Sequence, residues 1–419
     1  LEVASAKGGA TGGDTILGDE PAAEAKRSAP SIASNPAKRR CLEGGGDDGF
    51  VSGEQRVARI GVCGAGWWSQ GWHLPHLSRN RRAVIVAVVE PNAAPRSAIS
   101  ALESTHDLSQ RYRVPIFDSV DALLSAGIPL DGLLVCTPHA THAHIGLKAL
   151  AAGLHVLMEK PMTTAVSEAL SLAAAAAAAP TAFMVNNTAN WRPAVSKASD
   201  MVASGAIGEV QHVACAMHCP LLWLFDDPAN EGWTKPTGTM AGNGFGWGQL
   251  SHLLAWVFKV TRLVPSSAYA HMALSAASGG DIADSAVITC GAASISISGS
   301  AMVPGNAHSD DTAHSVGKHI SVRVFGTAGM ISYEGDDQRP ASGGLQLRTR
   351  SGQAEVHEGF YFENYNVEGE GPESMGAFIS ACLGESHFNG ADADVGLRTV
   401  RALDAMYRSS RSGAPEDVL

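Results

Sequence analysis

A lysine followed by a proline closes a short apolar run, HVLMEKP, at residues 155–161. In an open parallel sheet, ligand sites form outside the carboxyl ends of the strands, so an ammonium group at such an end points into a cleft. Pro161 fixes its own φ and disfavours helical geometry at Lys160, which holds that side chain toward the cleft. A second stretch with chemical meaning is IGVCGAGWWSQG, residues 60–71, which carries Gly64-x-Gly66-x-x-Ser69 between a strand and a helix. Gly64 permits the tight turn, and Gly66 lets the backbone approach a pyrophosphate at the helix N-terminus. Ser69 meets the need for a small third residue less well than glycine would. Glu90 ends the next strand, 24 residues after Gly66. A carboxylate there can bond both hydroxyls of an adenosine ribose and repels a 2′-phosphate, which favours NAD. Arg96, close by in sequence, keeps NADP open.

These residues need a scaffold that brings strand ends together. ARIGVC, AVIVAVVE (83–90), VPIFD (114–118), DGLLVCTP (131–138), HVLME and TAFMVNN (181–187) read as short, nearly continuous apolar strands, with helical segments such as THAHIGLKALAAG (141–153) between them. That alternation predicts a doubly wound parallel sheet covered on both faces, a Rossmann domain over residues 56–187. Thr137 and Pro138 end its fourth strand at the same edge as Lys160. From 188 to 419 the texture changes to alternating β-rich runs, one long helix near 247–260 and two closing helices (372–384, 393–410). This predicts an α+β domain with a mainly antiparallel open sheet. Residues 1–55 hold few large apolar side chains and read as a disordered, low-complexity segment. It contains PAKRRC (36–41), which resembles a very short nuclear-localisation patch.

Composition removes several function classes. The formal charge is −11, of which residues 56–419 carry −8. So acidic a body is poorly suited to a phosphate backbone or an anionic membrane, and no nucleic-acid or membrane partner is expected. No uninterrupted apolar run of membrane-spanning length occurs, and the Ala-rich stretch 169–180 reads as a helix stopped by Pro180. The seven cysteines form no CxxC pair, so no metal is expected, and free thiols imply a reducing compartment. A cytoplasmic location is expected, with organelle targeting left open because the chain starts at Leu1 rather than Met.

Residues 221–252 interleave Trp223, Phe225, Trp233, Phe245 and Trp247 with Gly, Asn and Asp. Glycines let such a loop fold closely over a cleft, and aromatic faces such as Trp233 and Trp247 can stack on the C–H face of a sugar or polyol ring. Asn187, Asn243 and Gln249 can read ring hydroxyls. The other reading makes the aromatics core beneath a long loop.

From Ala58 to near the C-terminus the chain resembles the Gfo/Idh/MocA oxidoreductases. The carriers are GVCGAGWWSQGWHLP (61–75), VCTPHATHAHIGLKALAAGLHVLMEKP (135–161), SGAIGEV (204–210) and VRVFGTAGM (322–330). The resemblance implies a cofactor contact surface of Gly64, Gly66, Trp67, Trp68, Ser69, Glu90, Thr137, Pro138, Glu159 and Lys160, with Thr137 and Pro138 flanking the nicotinamide ribose. It places Lys160 beside nicotinamide and substrate, where an ammonium can bond a hydroxyl and stabilise a developing alkoxide. His142 matches a family histidine that reads as structural. WGQLSHLLAW (247–256) matches the family's Asp-x-Gly-x-His element, with His252 on the histidine and Gly248 where the aspartate stands. His252 is then a candidate general base that Asp281 or Asp284 would have to orient, or else a packed core histidine. Asn190 and Trp191 stand where the family often has Arg-aromatic.

The expected activity is hydride transfer between NAD(P) and a sugar, polyol or related cyclic alcohol or carbonyl, in either direction. A non-catalytic dinucleotide or sugar sensor is an alternative, as is an NAD-assisted glycoside hydrolase. The resemblance also implies a homodimer or homotetramer formed on one face of the second sheet.

Overall fold

Strands β1 (Ala58–Cys63), β2 (Ala83–Val89), β3 (Ile116–Phe117), β4 (Gly132–Val135), β5 (His155–Met158) and β6 (Phe183–Val185) form one sheet in the order β3-β2-β1-β4-β5-β6, parallel throughout. All four residues of β4 are buried, as strands covered on both faces must be. The strand order reverses between β1 and β4, the switch point where an open sheet presents its crevice. The computed structural model describes residues 56–97, 100–230, 234, 243–305, 317–337, 339–359 and 371–419, which all belong to one unit. Residues 1–55, with PAKRRC, and Trp233 lie outside the described residues.

The helices start and stop where local chemistry directs. The Ala-rich helix runs Val166–Ala178 and ends before Pro180. The last helix, Ala393–Ser412, begins at Asp392, whose carboxylate accepts from the backbone N–H of Asp394 and Val395, and ends at Gly413 with φ +68°.

A second sheet contains β7 (Val210–His218), β8 (Ser267–Leu274), β9 (Asp281–Cys290), β10 (Ala293–Ser300), β11 (His319–Gly326), β12 (Gly329–Asp336), β13 (Arg339–Thr349), β14 (Ala354–Glu358) and β15 (Glu416–Asp417). Its order is β14-β13-β12-β11-β7-β10-β9-β8-β15, antiparallel except where β7 meets β10. Alternation along β7 and β10 buries Val213, Cys215, Met217, Ile295 and Ile297 on one face, which packs against the Ser251–Thr261 and Ala393–Ser412 helices. The closing helices also return to the first sheet. Glu373–Cys382 lies on β1 and β5, and Phe378 sits so close to Gly132 that a Cβ there would stand 2.7 Å from its ring. Ala393–Ser412 packs on the Val166–Ala178 helix. A division at 187/188 follows chain order alone and is retained here as a proposed boundary.

Candidate active site

Register decides which residues meet. Cys63 of β1 pairs with Val89 of β2 and Val135 of β4, Val135 with Met158 of β5, and Met158 with Val185 of β6. Five neighbouring strands therefore end level. They release Glu90, Gly64, Cys136-Thr137, Glu159-Lys160 and Asn186-Asn187 in one row along the carboxyl edge. The row joins residues scattered over about a hundred positions of sequence.

Gly64 has φ +93°, and a Cβ on it would stand 2.2 Å from the Cys136 carbonyl oxygen, so glycine is required by both conformation and space. Nothing lies within 4 Å of the corresponding point on Gly66, which leaves that backbone open to a ligand. The Ser69 hydroxyl is buried in the same turn without a hydrogen-bond partner. A phosphate-bearing ligand fits such a turn, because it offers acceptors to an orphaned donor and needs close backbone approach. Trp67 and Trp68 are half-buried beside it, and Trp68 stacks on Trp72 at 5.3 Å. Glu90 also serves the loop itself: Oε2 accepts from the Ala65 N–H at 2.9 Å and Oε1 from the Asn92 N–H at 3.0 Å. Its remaining lone pairs stay available for ribose hydroxyls.

Beneath Lys160 lies a buried polar cluster. Glu159 Oε1 accepts from His73 Nε2 at 2.8 Å and from Asn186 Nδ2 at 2.7 Å, while Oε2 accepts from the Lys160 backbone N–H at 3.1 Å. Burial pushes this carboxyl up, but the His73 ring, the Asn186 amide and the Lys160 charge outweigh it and hold it at about 2. The carboxylate is therefore committed to ordering the strand end. Neither His73 nor Asn186 was singled out from sequence. Their signals were slight: a histidine nine residues after Gly64 and an Asn directly after a strand.

The Lys160–Pro161 peptide is cis. His142 ties this turn to its neighbour, with Nδ1 3.0 Å from the Pro161 carbonyl and Nε2 2.9 Å from the Thr137 carbonyl. Burial pushes the ring's pKa down, against the pull of the two carbonyls. The Thr141 hydroxyl donates to Thr137 Oγ1 at 2.8 Å. The His142 ring thus performs the structural task expected of it.

The opposing wall is a π-helical turn, Gly246–Leu250, that continues into the Ser251–Thr261 helix. Lys160 Nζ donates to the Gly248 carbonyl at 2.7 Å. His252 lies four residues further on, close to one turn along the same face, and is 5% exposed. Asn187 Nδ2 donates to the Ser251 carbonyl at 3.3 Å, and Gln249 Oε1 accepts from Lys318 Nζ at 3.1 Å. Lys318, 5% exposed, is a second ammonium at this wall that no sequence pattern announced. Asn190 is spent on structure, donating to the carbonyls of Ala255 and Gly390.

Two expectations change here. Phe225, Phe245 and Trp247 are core: the two phenyl rings meet edge-on at 5.9 Å, and the Trp247 indole, 5% exposed, stacks on Tyr407. Tyr407 thus takes one face of that indole, because burying it against an aromatic partner removes more apolar surface from water. Asn243 is buried too, and its carbonyl accepts from the Tyr407 hydroxyl at 3.4 Å. A general base at His252 called for Asp281 or Asp284 to orient its ring. Asp281 instead accepts from the Gly246 N–H at 2.7 Å and from the Tyr407 hydroxyl at 2.8 Å, so it anchors the start of the turn.

Residues 58–187 match the oxidoreductase family's NAD-binding Rossmann fold, and residues 195–332 match the GFO/IDH/MocA C-terminal domain. The chain belongs to the Gfo/Idh/MocA oxidoreductase family. Among curated relatives, galactose 1-dehydrogenase of Pseudomonas fluorescens is 29% identical over 36% of this chain and 44% of its own length. Inositol 2-dehydrogenase of Leifsonia xyli is 35% identical over 27% of this chain and 30% of its own. The chain thus spans less than half the length of these relatives. Among solved structures, WlbA dehydrogenase from Bordetella pertussis, in complex with NADH and UDP-GlcNAcA, covers 87% of this chain and 99% of its own at TM-score 0.63 and 19% identity. Aldose-aldose oxidoreductase from Caulobacter crescentus, complexed with glycerol, covers 86% and 100% at TM-score 0.63 and 18% identity. Both share the fold of this Gfo/Idh/MocA chain. Among the described residues, no helix is long and apolar enough to cross a membrane, and six cysteines carry free thiols.

Proposed function

We propose that this Gfo/Idh/MocA protein is an NAD-dependent dehydrogenase acting on a hydroxyl of a sugar, polyol or related cyclic alcohol, or on the matching carbonyl in reverse. The observation that carries the reading is the level row of strand ends, which puts Lys160 beside the dinucleotide turn and across from the helix bearing His252. Gly64, Gly66, Ser69, Glu90, Thr137 and Pro138 would hold NAD, with Trp67 and Trp68 flanking it. When bound, NAD supplies the hydride acceptor. Lys160 binds the substrate hydroxyl and stabilises its developing negative charge, and its ammonium group is placed by the Gly248 carbonyl. His252 takes the hydroxyl proton. Asn187 and Gln249 stand at the substrate wall, and the galactose and inositol dehydrogenases named above agree with a cyclic polyol substrate.

The free face of the second sheet supports self-association into a dimer or tetramer. It presents small side chains, Ala214, Ala216, Ser294, Ser296 and Ser298, which let another sheet approach closely. Sedimentation that returns a monomer at micromolar concentration removes this part. The thiols are in keeping with a reducing, cytoplasmic setting.

The test is fluorescence titration with NADH and NADPH, then a panel of inositols, hexoses and sugar acids with the preferred cofactor. In Lys160→Ala, turnover should fall at least about a hundredfold while NADH binding persists. Binding without turnover on any panel member would favour a sensor or an NAD-assisted hydrolase. Loss of cofactor binding in step with turnover would make the lysine structural.

A further inference from the structure

The family's helix carboxylate is absent, since Gly248 stands in its place, yet the turn that carries Gly248 is anchored by a carboxylate from elsewhere. Asp281 and Asp284 lie three apart on β9, a spacing that in a regular strand points side chains to opposite faces. Pairing with β8 skips at this point, from Ala273↔Ala283 to Leu274↔Asp281, and the irregularity turns both carboxyl groups inward. They are 2% and 1% exposed, and neither Asp284 carboxyl oxygen has a hydrogen-bond partner. Two carboxyl groups buried close together disfavour each other's charged form. Burial pushes both up, Asp284 further because the Asp281 charge faces it. Asp281 accepts from the Gly246 N–H and from the Tyr407 hydroxyl, whereas Asp284 receives no donor, so of the two it is Asp284 that is kept neutral.

The turn is shaped to receive this anchor. Gly244 has φ +109°, and a Cβ on it would stand 1.7 Å from Asp281 Oδ1. The Gly244 carbonyl accepts from the Gly248 N–H at 2.9 Å, and the Gly248 carbonyl in turn receives Lys160 Nζ. A continuous series of contacts therefore runs from the last helix, through Tyr407 and Asp281, to the ammonium group.

We propose that Asp281 and Tyr407 are positioning residues for Lys160, setting the Gly246–Leu250 turn so that the Gly248 carbonyl holds the ammonium in the cleft. The functional meaning rests on the dehydrogenase reading above; the positioning itself does not. The test uses limited acetylation of the full chain by N-hydroxysuccinimidyl acetate, with peptide mass spectrometry reporting Lys160 relative to Lys148. Lys148 is ion-paired to Asp121 and serves as internal reference. Asp281→Asn places an NH2 group where two donors need an acceptor, and Lys160 labelling should rise about fivefold, the equivalent of one hydrogen bond. Tyr407→Phe keeps the ring stack and should raise it about twofold. Asp284→Asn removes no hydrogen bond of the turn and should stay within about 1.5-fold of the parent. Unchanged Lys160 labelling in Asp281→Asn, folded by circular dichroism, overturns the proposal; if that variant does not fold, unchanged labelling in Tyr407→Phe does so. A rise in Asp284→Asn equal to that in Asp281→Asn would mean that the contacts of Asp281 are not what sets the turn, and overturns the proposal. Failure of the parent to bind NADH would sink the dehydrogenase reading and leave the labelling comparison intact.

Discussion

Replacing Glu159 by Gln tests how the strand end that carries Lys160 is held. The side chain is buried and receives the His73 ring, the Asn186 amide and the Lys160 N–H. A Gln keeps the shape but offers one acceptor oxygen and puts an NH2 group against donors. The carboxyl is held at about 2 against an ordinary 4.5, which corresponds to about 3 kcal/mol of stabilisation in the charged form. Because the folded-state value lies below the unfolded one, this contribution is complete above about pH 5 and is lost as the pH falls toward 2. Urea unfolding of parent and Glu159→Gln should therefore differ by about 3 kcal/mol at pH 6 and by about half of that at pH 3. A difference of similar size at both pH values would mean that packing, not charge, sets the role of Glu159. A difference below about 0.5 kcal/mol at pH 6 would refute the buried-charge argument itself.

Three other outcomes follow from the geometry. Gly64→Ala forces a Cβ to 2.2 Å from the Cys136 carbonyl and should abolish NADH binding in fluorescence titration while costing about 2–3 kcal/mol in urea; retained binding would mean the turn adapts. His142→Leu leaves the Thr137 and Pro161 carbonyls without their bridge and should destabilise by about 2–4 kcal/mol, with NADH affinity changed less than stability. Lys318→Met removes the ammonium from Gln249, so KM for the accepted sugar should rise severalfold with kcat nearly unchanged; an equal fall in both parameters would assign Lys318 to the reacting centre.

The sheet, the nucleotide turn and Lys160 were legible in the sequence because each rests on local chemistry. A β-branched run makes a strand wherever it sits, Gly64 answers a backbone conformation, and Lys160-Pro161 closes a strand whose carboxyl end must face the crevice. The aromatic run 223–247 was not legible in this way. Trp and Phe between glycines suit a sugar-stacking loop and a packed core equally well, and only the Tyr407 ring, 160 residues from Trp247, shows that the indole is core. His73, Asn186 and Lys318 escaped for the same reason, since a lone polar residue acquires a role from whatever distant strand or helix stops beside it. Asp281 was noticed but given the wrong partner, because a strand irregularity, invisible in composition or spacing, turns it toward Gly246. Local sequence thus determined which elements form and what chemistry they carry, while register and long-range packing decided which side chains meet, because those distances are set by the whole fold and by no single segment.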